Sequence, residues 1–367
     1  MKFFLIVLLL LSLFSCTLLK EKTIIQKLED DGYGIVIGCE IFNLQGKILR
    51  SFPGDQCLFF EDGSFLSYDP ARQELSKFKS NLSKEWTIHR HIHHTMTRTK
   101  DNNILLKSSS FHHYNGIKNV RFDDLILINP HGEILGNFSF YETIVKLNQI
   151  KKRGPQKTNW DQNIQFKNEA THLASAYELQ YPIEKDGKVF APKGSFLVSL
   201  NSLFSGVYIL NSDLSKLLGF IYVLRNNTFH DVQQYSSTEL IYFLNNEHTY
   251  PDNPEQEAKI VIQNIYEKRF SHEYTSGFDS TFGGSVQFVS KDLIFISDSK
   301  SRFSKMIKNR KNSTLESERV TVHSLKKGRV IFYSPKNGIL YEIHFDKPFS
   351  SAKLVKIKDF MSKVISL

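Results

Sequence analysis

The feature that most constrains this chain is a recurring unit: a polar turn of two or three residues followed by a short, strongly apolar strand. Glu61-Asp62-Gly63 precedes Phe65-Leu66, Asp101-Asn102-Asn103 precedes Ile104-Leu105-Leu106, and Lys193-Gly194 precedes Phe196-Leu197-Val198. The same pattern returns at Ser236-Ser237-Thr238 before Leu240 to Phe243, at Lys291-Asp292 before Leu293 to Ile296, and at Lys326-Lys327-Gly328 before Val330-Ile331-Phe332. Polar turns between β-branched and aromatic runs read as antiparallel strands. Their spacing approximates the ~40–45 residues of a four-stranded propeller blade. One interval is longer and contains Ile144 to Gln165, a Lys-rich stretch that reads as an insertion near residues 139–165. A second beat, strand-turn-strand, falls at Leu125 to Leu135 around Asn129-Pro130-His131-Gly132 and again at Gly206 to Asp213. Helical periodicity is nearly absent; Glu255 to Lys268 fits either a helix or an apolar strand.

Such units cannot bury their apolar faces alone. Packed around a ring they cover one another and leave few long edges. The expected fold is all-β: a six-bladed β-propeller with four-stranded antiparallel blades around a central channel. A two-sheet sandwich is the competitor. The 30 Phe and 15 Tyr within a 41% hydrophobic composition supply the core.

The N-terminus has a separate logic. Met1-Lys2 is followed by an apolar run, Phe3 to Phe14, and then Ser15-Cys16. The run is shorter than the ~20 residues that span a bilayer and reads as a signal-peptide core. A small residue before the cysteine resembles the lipobox of bacterial lipoproteins, with Cys16 as the lipidation site. The expected organisation is a signal peptide over 1–15, a linker over 16–34 and one propeller domain over 35–367. That places the chain outside the cytoplasm, held to a periplasmic or outer-membrane face by a lipid anchor. The net charge of +9 is diffuse, which suits anionic lipid or small anionic ligands; nucleic acid is not an expected partner of an exported chain. Cys39 and Cys57 are the remaining cysteines. An oxidising compartment permits their pairing, which geometry must decide.

Thirteen histidines are present, and register separates some of them from the rest. His94 stands ten residues before Ile104, and His230 ten before Leu240. In a propeller the first strand of each blade lines the channel, so both fall at the same phase. His172 fits that phase with a longer hairpin after it. Three distant histidines would then face one cavity. His89, His91 and His93 alternate along a strand, but no cysteine or carboxylate spacing accompanies them, so neither a metal nor another cofactor is expected. No phosphate loop, nucleophile elbow or zinc-helix motif is present.

Residues around these histidines resemble the arylsulfate sulfotransferases. His93-His94 with Asp101-Asn102-Asn103-Ile104-Leu105 is similar to that family's paired-histidine signature. Arg121 to Gly132 is similar to the strand pair that follows it. Thr171-His172-Leu173-Ala174-Ser175, Phe196 to Asn201, His230-Asp231-Val232-Gln233 and Gly284-Ser285-Val286-Gln287 resemble later elements in the right order, over roughly residues 35 to 335. The resemblance implies sulfuryl transfer between phenols, with His230 as the nucleophile that forms a sulfohistidine and His94 or His172 moving protons. The candidate substrate-binding residues are His93, Asn201 and Asp231. Departures are Thr95 and Ala174 within the motifs, Gly219-Phe220 in place of a blade-ending tryptophan, and above all Asn201 where the family carries an arginine. Arg98 and Arg225 are candidate substitutes. Tyr177, Tyr208 and Tyr242 are either pocket or packing residues. Two readings follow: an enzyme acting on small aromatic sulfates or phenols, or a non-catalytic lipoprotein propeller serving as a binding or scaffold module.

Overall fold

In the computed structural model, strand Tyr33–Ile37 pairs on one side with Glu40–Phe42 and on the other with Lys353–Lys356, near the far end of the chain. With Ile48–Ser51 these form one four-stranded antiparallel sheet whose innermost strand comes from the C-terminal region. The structure describes residues 24–94, 96–150, 169–185, 187–202, 204–221, 229–244, 258–267, 270–278, 284–298, 328–336, 338–345 and 351–365.

Five further sheets, each a four-stranded antiparallel meander in chain order, complete the six-bladed propeller. Blade 1 comprises Gln56–Phe59, Phe65–Asp69, Glu74–Phe78 and Lys84–His89. Blade 2 comprises Thr97–Arg98, Ile104–Tyr114, Ile117–Ile128 and Ile134–Ser139. Blade 3 runs Thr171–Glu178, Phe196–Ser202, Gly206–Leu210 and Leu217–Ile221, with a small hairpin, Ile183–Lys185 and Lys188–Ala191, inserted after its first strand. Blade 4 runs Phe229–Gln234, Glu239–Leu244, Ala258–Asn264 and Phe270–Phe278. Blade 5 runs Ser285–Ser290, Leu293–Asp298, Arg329–Ser334 and Gly338–His344, and the sheet shared by the two ends is blade 6.

Six blades are present, but one of the six turn-strand units does not mark a blade of its own. Val330-Ile331-Phe332 belongs to the third strand of blade 5, not to the second strand of a blade of its own. Middle strands of either rank are buried on both faces, as Leu293–Asp298 and Arg329–Ser334 are throughout. Their sequences are therefore equally apolar and do not reveal their rank. The ambiguous segment near Glu255 is strand Ala258–Asn264. Residues 24–30, within the expected linker, are helical, and a second helix spans Lys358–Ile365. The expected insertion contains a single π-helical turn, Glu142–Lys146; its residues 151–165 lie outside the described residues. Among the described residues no helix is long and apolar enough to cross a membrane. Residues 1–23, including Cys16, lie outside them.

The core is divided among the junctions between blades. Phe122, Leu127, Leu173 and Leu200 pack between blades 2 and 3, Ile209, Val232 and Tyr242 between 3 and 4, and Phe243, Ile262, Ile296 and Ile331 between 4 and 5. Equivalent apolar wedges join blades 5 and 6, 6 and 1, and 1 and 2. Each wedge removes from water surface that an isolated blade would expose, which is why the blades are stable only as a ring. Outermost strands such as Lys84–His89 are the exposed ones.

Side chains also stitch each inner strand to the next. Gln233 of blade 4 donates to Val286 O at 2.6 Å and accepts from Phe288 N, and Gln287 of blade 5 does the same with Leu354 of blade 6. A disulfide between Cys39 and Cys57, with Cα atoms 4.8 Å apart, ties blade 6 to the inner strand of blade 1.

Candidate functional site

Three consecutive blades break their innermost strand at a histidine. In blade 2, residues 91–93 pair with residues 107–109, and Thr97–Arg98 pairs with Leu105 and Ile104. Between these pairings His94 takes φ +58°, a left-handed conformation that histidine tolerates better than most residues. In blade 3 the register shifts between Leu173 and Ser175, just after His172. In blade 4 it shifts between His230 and Gln233, with Asp231 at φ +50°. A bulge of this kind re-aims the side chain beside it. Here the three bulges turn three rings toward one another.

The result is a histidine cluster inside the channel. His94 Nε2 and His172 Nε2 are 2.8 Å apart, and their ring centroids are separated by 4.6 Å. The ring of His93 is 4.8 Å from that of His94, and the ring of His230 is 6.4 Å from it. Among the described residues, no group of three or more His, Cys, Asp or Glu side chains is arranged to hold a metal ion. The 2.8 Å separation is a hydrogen bond; two ligands of one tetrahedral zinc stand about 3.3 Å apart.

Buried acids anchor two of these rings. His93 Nε2 meets Asp123 Oδ1 at 2.8 Å, and the other oxygen of Asp123 accepts the Leu173 N–H from blade 3. Burial by itself would raise the Asp123 carboxyl, but His93 and Arg121 hold it below the usual range. His172 Nδ1 lies 2.7 Å from Glu169 Oε1, and Arg121 bonds the same carboxylate while standing 3.1 Å from Nδ1. With the nearer carboxylate as its partner, Nδ1 carries the proton and Arg121 bonds the carboxylate rather than the ring; in this tautomer His172 accepts at Nε2 and His94 donates to it. The chain therefore runs from Glu169 through His172 to His94. His230 differs: among the described residues its imidazole makes no hydrogen bond.

Burial disfavours the charged form of each ring. Burial, then His172 and Lys107, lower His230 to about 3. Burial, with Arg121 and Lys107, lowers His172 to about 4 against the pull of Asp123. His94 is pushed well below its ordinary value by burial and by the surrounding imidazoles and Lys107.

The other expected residues have definite places. Asp231 is buried and accepts the Tyr177 hydroxyl at 2.7 Å. Burial raises its carboxyl. The Asn201 amide is turned to blade 4, donating to Phe229 O at 3.1 Å and accepting from Phe229 N at 3.3 Å. Both its polar ends serve the fold. Arg98 is exposed and pairs with Glu61, whereas Thr95 and Arg225 lie outside the described residues. Tyr208 and Tyr242 are core residues bonded to Phe204 O and Gln263 Oε1, which leaves Tyr177 as the tyrosine at the site. His89 is exposed, and His91 packs against Phe111.

Sequence reading missed Lys107, Arg121, Asp123, Glu169 and Lys353. A signal existed for the first: Lys107 interrupts Ile104-Leu105-Leu106 within a strand that is otherwise core, and a lysine there is rarely idle. Lys107 is 2% exposed, and burial, offset only in part by Asp231, lowers its ammonium to about 7.

No family model and no curated protein sequence matches this chain. Solved structures do. A protein of unknown function from Bacteroides caccae superposes with a TM-score of 0.52 at 11% identity, over 89% of this chain and 99% of that one. The lignostilbene dioxygenase of Pseudomonas brassicacearum matches with a TM-score of 0.38 at 9% identity, over 88% and 72%. These likenesses concern the fold.

Proposed function

We propose that this propeller is an arylsulfotransferase-like enzyme that moves a sulfuryl group between phenolic compounds through His230. The observation that carries the reading is the contrast within the cluster. His93, His94 and His172 are tied by hydrogen bonds, whereas among the described residues His230 makes none and its imidazole is held neutral, with one N–H and one free lone pair. A neutral imidazole with a free lone pair is a nucleophile, and a covalent intermediate divides one hard transfer into two easier ones.

In the first half-reaction a ring nitrogen of His230 attacks the sulfur of an aryl sulfate. The N–S bond forms, the aryl S–O bond breaks, and the phenolate leaves with the bonding pair, taking a proton from water. In the second, the hydroxyl of an acceptor phenol gives its proton to His94 and attacks sulfur, and the N–S pair returns to His230. The new charge on His94 is shared through His172 with Glu169, and the imidazolium then returns its proton to solvent. Cations near the cluster, Lys107 and Arg121, oppose the negative charge on the sulfuryl oxygens. An exported setting with a lipid on Cys16 belongs to this reading; the Cys39–Cys57 disulfide supports an oxidising compartment.

One observation favours the second reading, a binding module without turnover: Asn201, at the family's arginine position, is occupied by the Phe229 backbone. Purified full chain incubated with an aryl sulfate that releases a coloured phenol separates the two. His230-dependent release together with a sulfuryl adduct in the intact mass supports the enzyme. No release from a folded protein across several donors leaves the binding module.

A further inference from the structure

Beneath the histidines lie two ammonium groups that the reaction above does not require as a pair. Lys107, on the second strand of blade 2, reaches across to Ala174 O on the bulge of blade 3, at 3.4 Å. Lys353, on the closing strand of blade 6, passes blade 1 and donates to Met96 O on the inner strand of blade 2, at 3.0 Å. Each ammonium carries three donors, and each has one such bond among the described residues. Four N–H groups are therefore without a protein partner among the described residues, two on buried Lys107 and two on half-buried Lys353.

Their charge is equally unmet. Among the described residues no carboxylate comes within the 4.0 Å of an ion pair to either lysine. The acids whose fields reach Lys107 are engaged elsewhere: Asp231 with Tyr177, and Asp123 with His93 and Leu173 N. Asp231 is also the acid that acts on Lys353. Asp231 and Asp123 thus act on the two lysines only from beyond ion-pair distance, an arrangement that leaves a buried ammonium poorly compensated. A single negative charge spread over several oxygens would answer both deficits.

We propose that Lys107 and Lys353 form a buried subsite for one sulfur oxyanion, either the sulfo group of an aromatic ligand or free sulfate. The subsite does not depend on His230 being a nucleophile, since an oxyanion can be held with no transfer. A sulfo group would bring negative charge to contact distance of both ammonium groups. Its oxygens offer the acceptors that four N–H groups need. Binding also favours the ammonium form of Lys107, which stands near half-protonation at neutral pH among Asp231, Lys353, Asp123, His172, His94 and His230. Uptake of the anion is therefore accompanied by uptake of a proton.

The test is calorimetric titration of the purified full chain with sodium benzenesulfonate and, separately, with sodium sulfate, at constant ionic strength made up with chloride. The expected result is saturable binding of one anion per chain, weakened at least tenfold in Lys107→Met and in Lys353→Met. Repeating the titration of the unmodified chain in two buffers of different ionisation enthalpy at pH 7.5 should reveal a proton taken up with the anion. Binding of benzenesulfonate identifies a sulfo-bearing ligand as the occupant, and binding of sulfate alone identifies the free ion. Absence of saturable binding by either, or equal affinity in folded Lys107→Met, overturns the proposal. Should neither variant fold, anion binding without proton uptake overturns it. Binding without aryl sulfate turnover would keep the subsite and remove the transferase reading; turnover with no anion binding and no effect of either lysine would do the reverse.

Discussion

His94 and His172 share one proton across 2.8 Å between their Nε2 atoms. Two ring nitrogens at that distance cannot both carry hydrogen, and they cannot both present lone pairs without repulsion. Glu169 resolves the choice from the far side of His172. The cluster is thus a directed chain of donors that starts at His94 and ends on the Glu169 carboxylate, with His230 beside it and outside the chain.

Acid should unfold the protein partly through these rings. His230 and His172 are held at about 3 and about 4, against 6.5 when unfolded. Between these values the unfolded chain binds protons that the folded one refuses, so stability is full above pH 6.5 and is lost as pH falls toward 3. His230→Asn removes one such proton, even though His172 and Lys107 still face the position. Urea unfolding at pH 7.5 and pH 5.0 should show a smaller acid loss in the variant; identical losses would contradict the depressed value.

Because His94 is neutral at rest, it gives the departing phenolate no proton. Adduct formation in single-turnover experiments should slow steadily as the phenol of the donor becomes less acidic. His94→Ala should leave that slope unchanged while slowing transfer to the acceptor about 10²-fold or more. A slope that steepens in the variant would mean that His94 protonates the leaving oxygen after all.

In the proposed reaction Glu169 acts through His172, as a positioning residue. Glu169→Ala should lower kcat about 10²-fold with little change in KM, because the tautomer rather than substrate affinity is lost. Glu169→Gln keeps an acceptor for Nδ1 and should recover part of the rate. Equal kcat in the two variants would show that acceptance at that position is immaterial.

Cys57→Ser should cost about 3 kcal/mol of unfolding free energy, the entropy of an 18-residue cross-linked separation, and a reducing agent should do the same to the unmodified chain. Reductant added to Cys57→Ser should then have no further effect on the urea midpoint.

Much of the ring was legible because turn and strand chemistry is local. The ten-residue phase from His94 to Ile104 and from His230 to Leu240 survives as first strand, bulge and second strand. The motif residues Gln233 and Gln287 prove to be stitches between blades, a role their spacing could not express. Val330 misled because a third strand is as apolar as a second. Tyr33–Ile37 and Lys353–Lys356 form one sheet with no local signal joining them. The acids and lysines of the site escaped for a similar reason. Glu169, Arg121 and Lys353 gain meaning only once three blades bring them together.

Blade 6 carries a consequence for how the protein is made. Its outer strands emerge from the ribosome first and its channel-lining strand among the last, roughly 300 residues and tens of seconds later at about 5–20 residues per second. Until Lys353 arrives, the histidines of blades 2 to 4 sit in an open arc that water enters from the side. A growing or prematurely released chain therefore lacks the closed histidine cluster, and synthesis itself sets the moment at which the ring shuts around it.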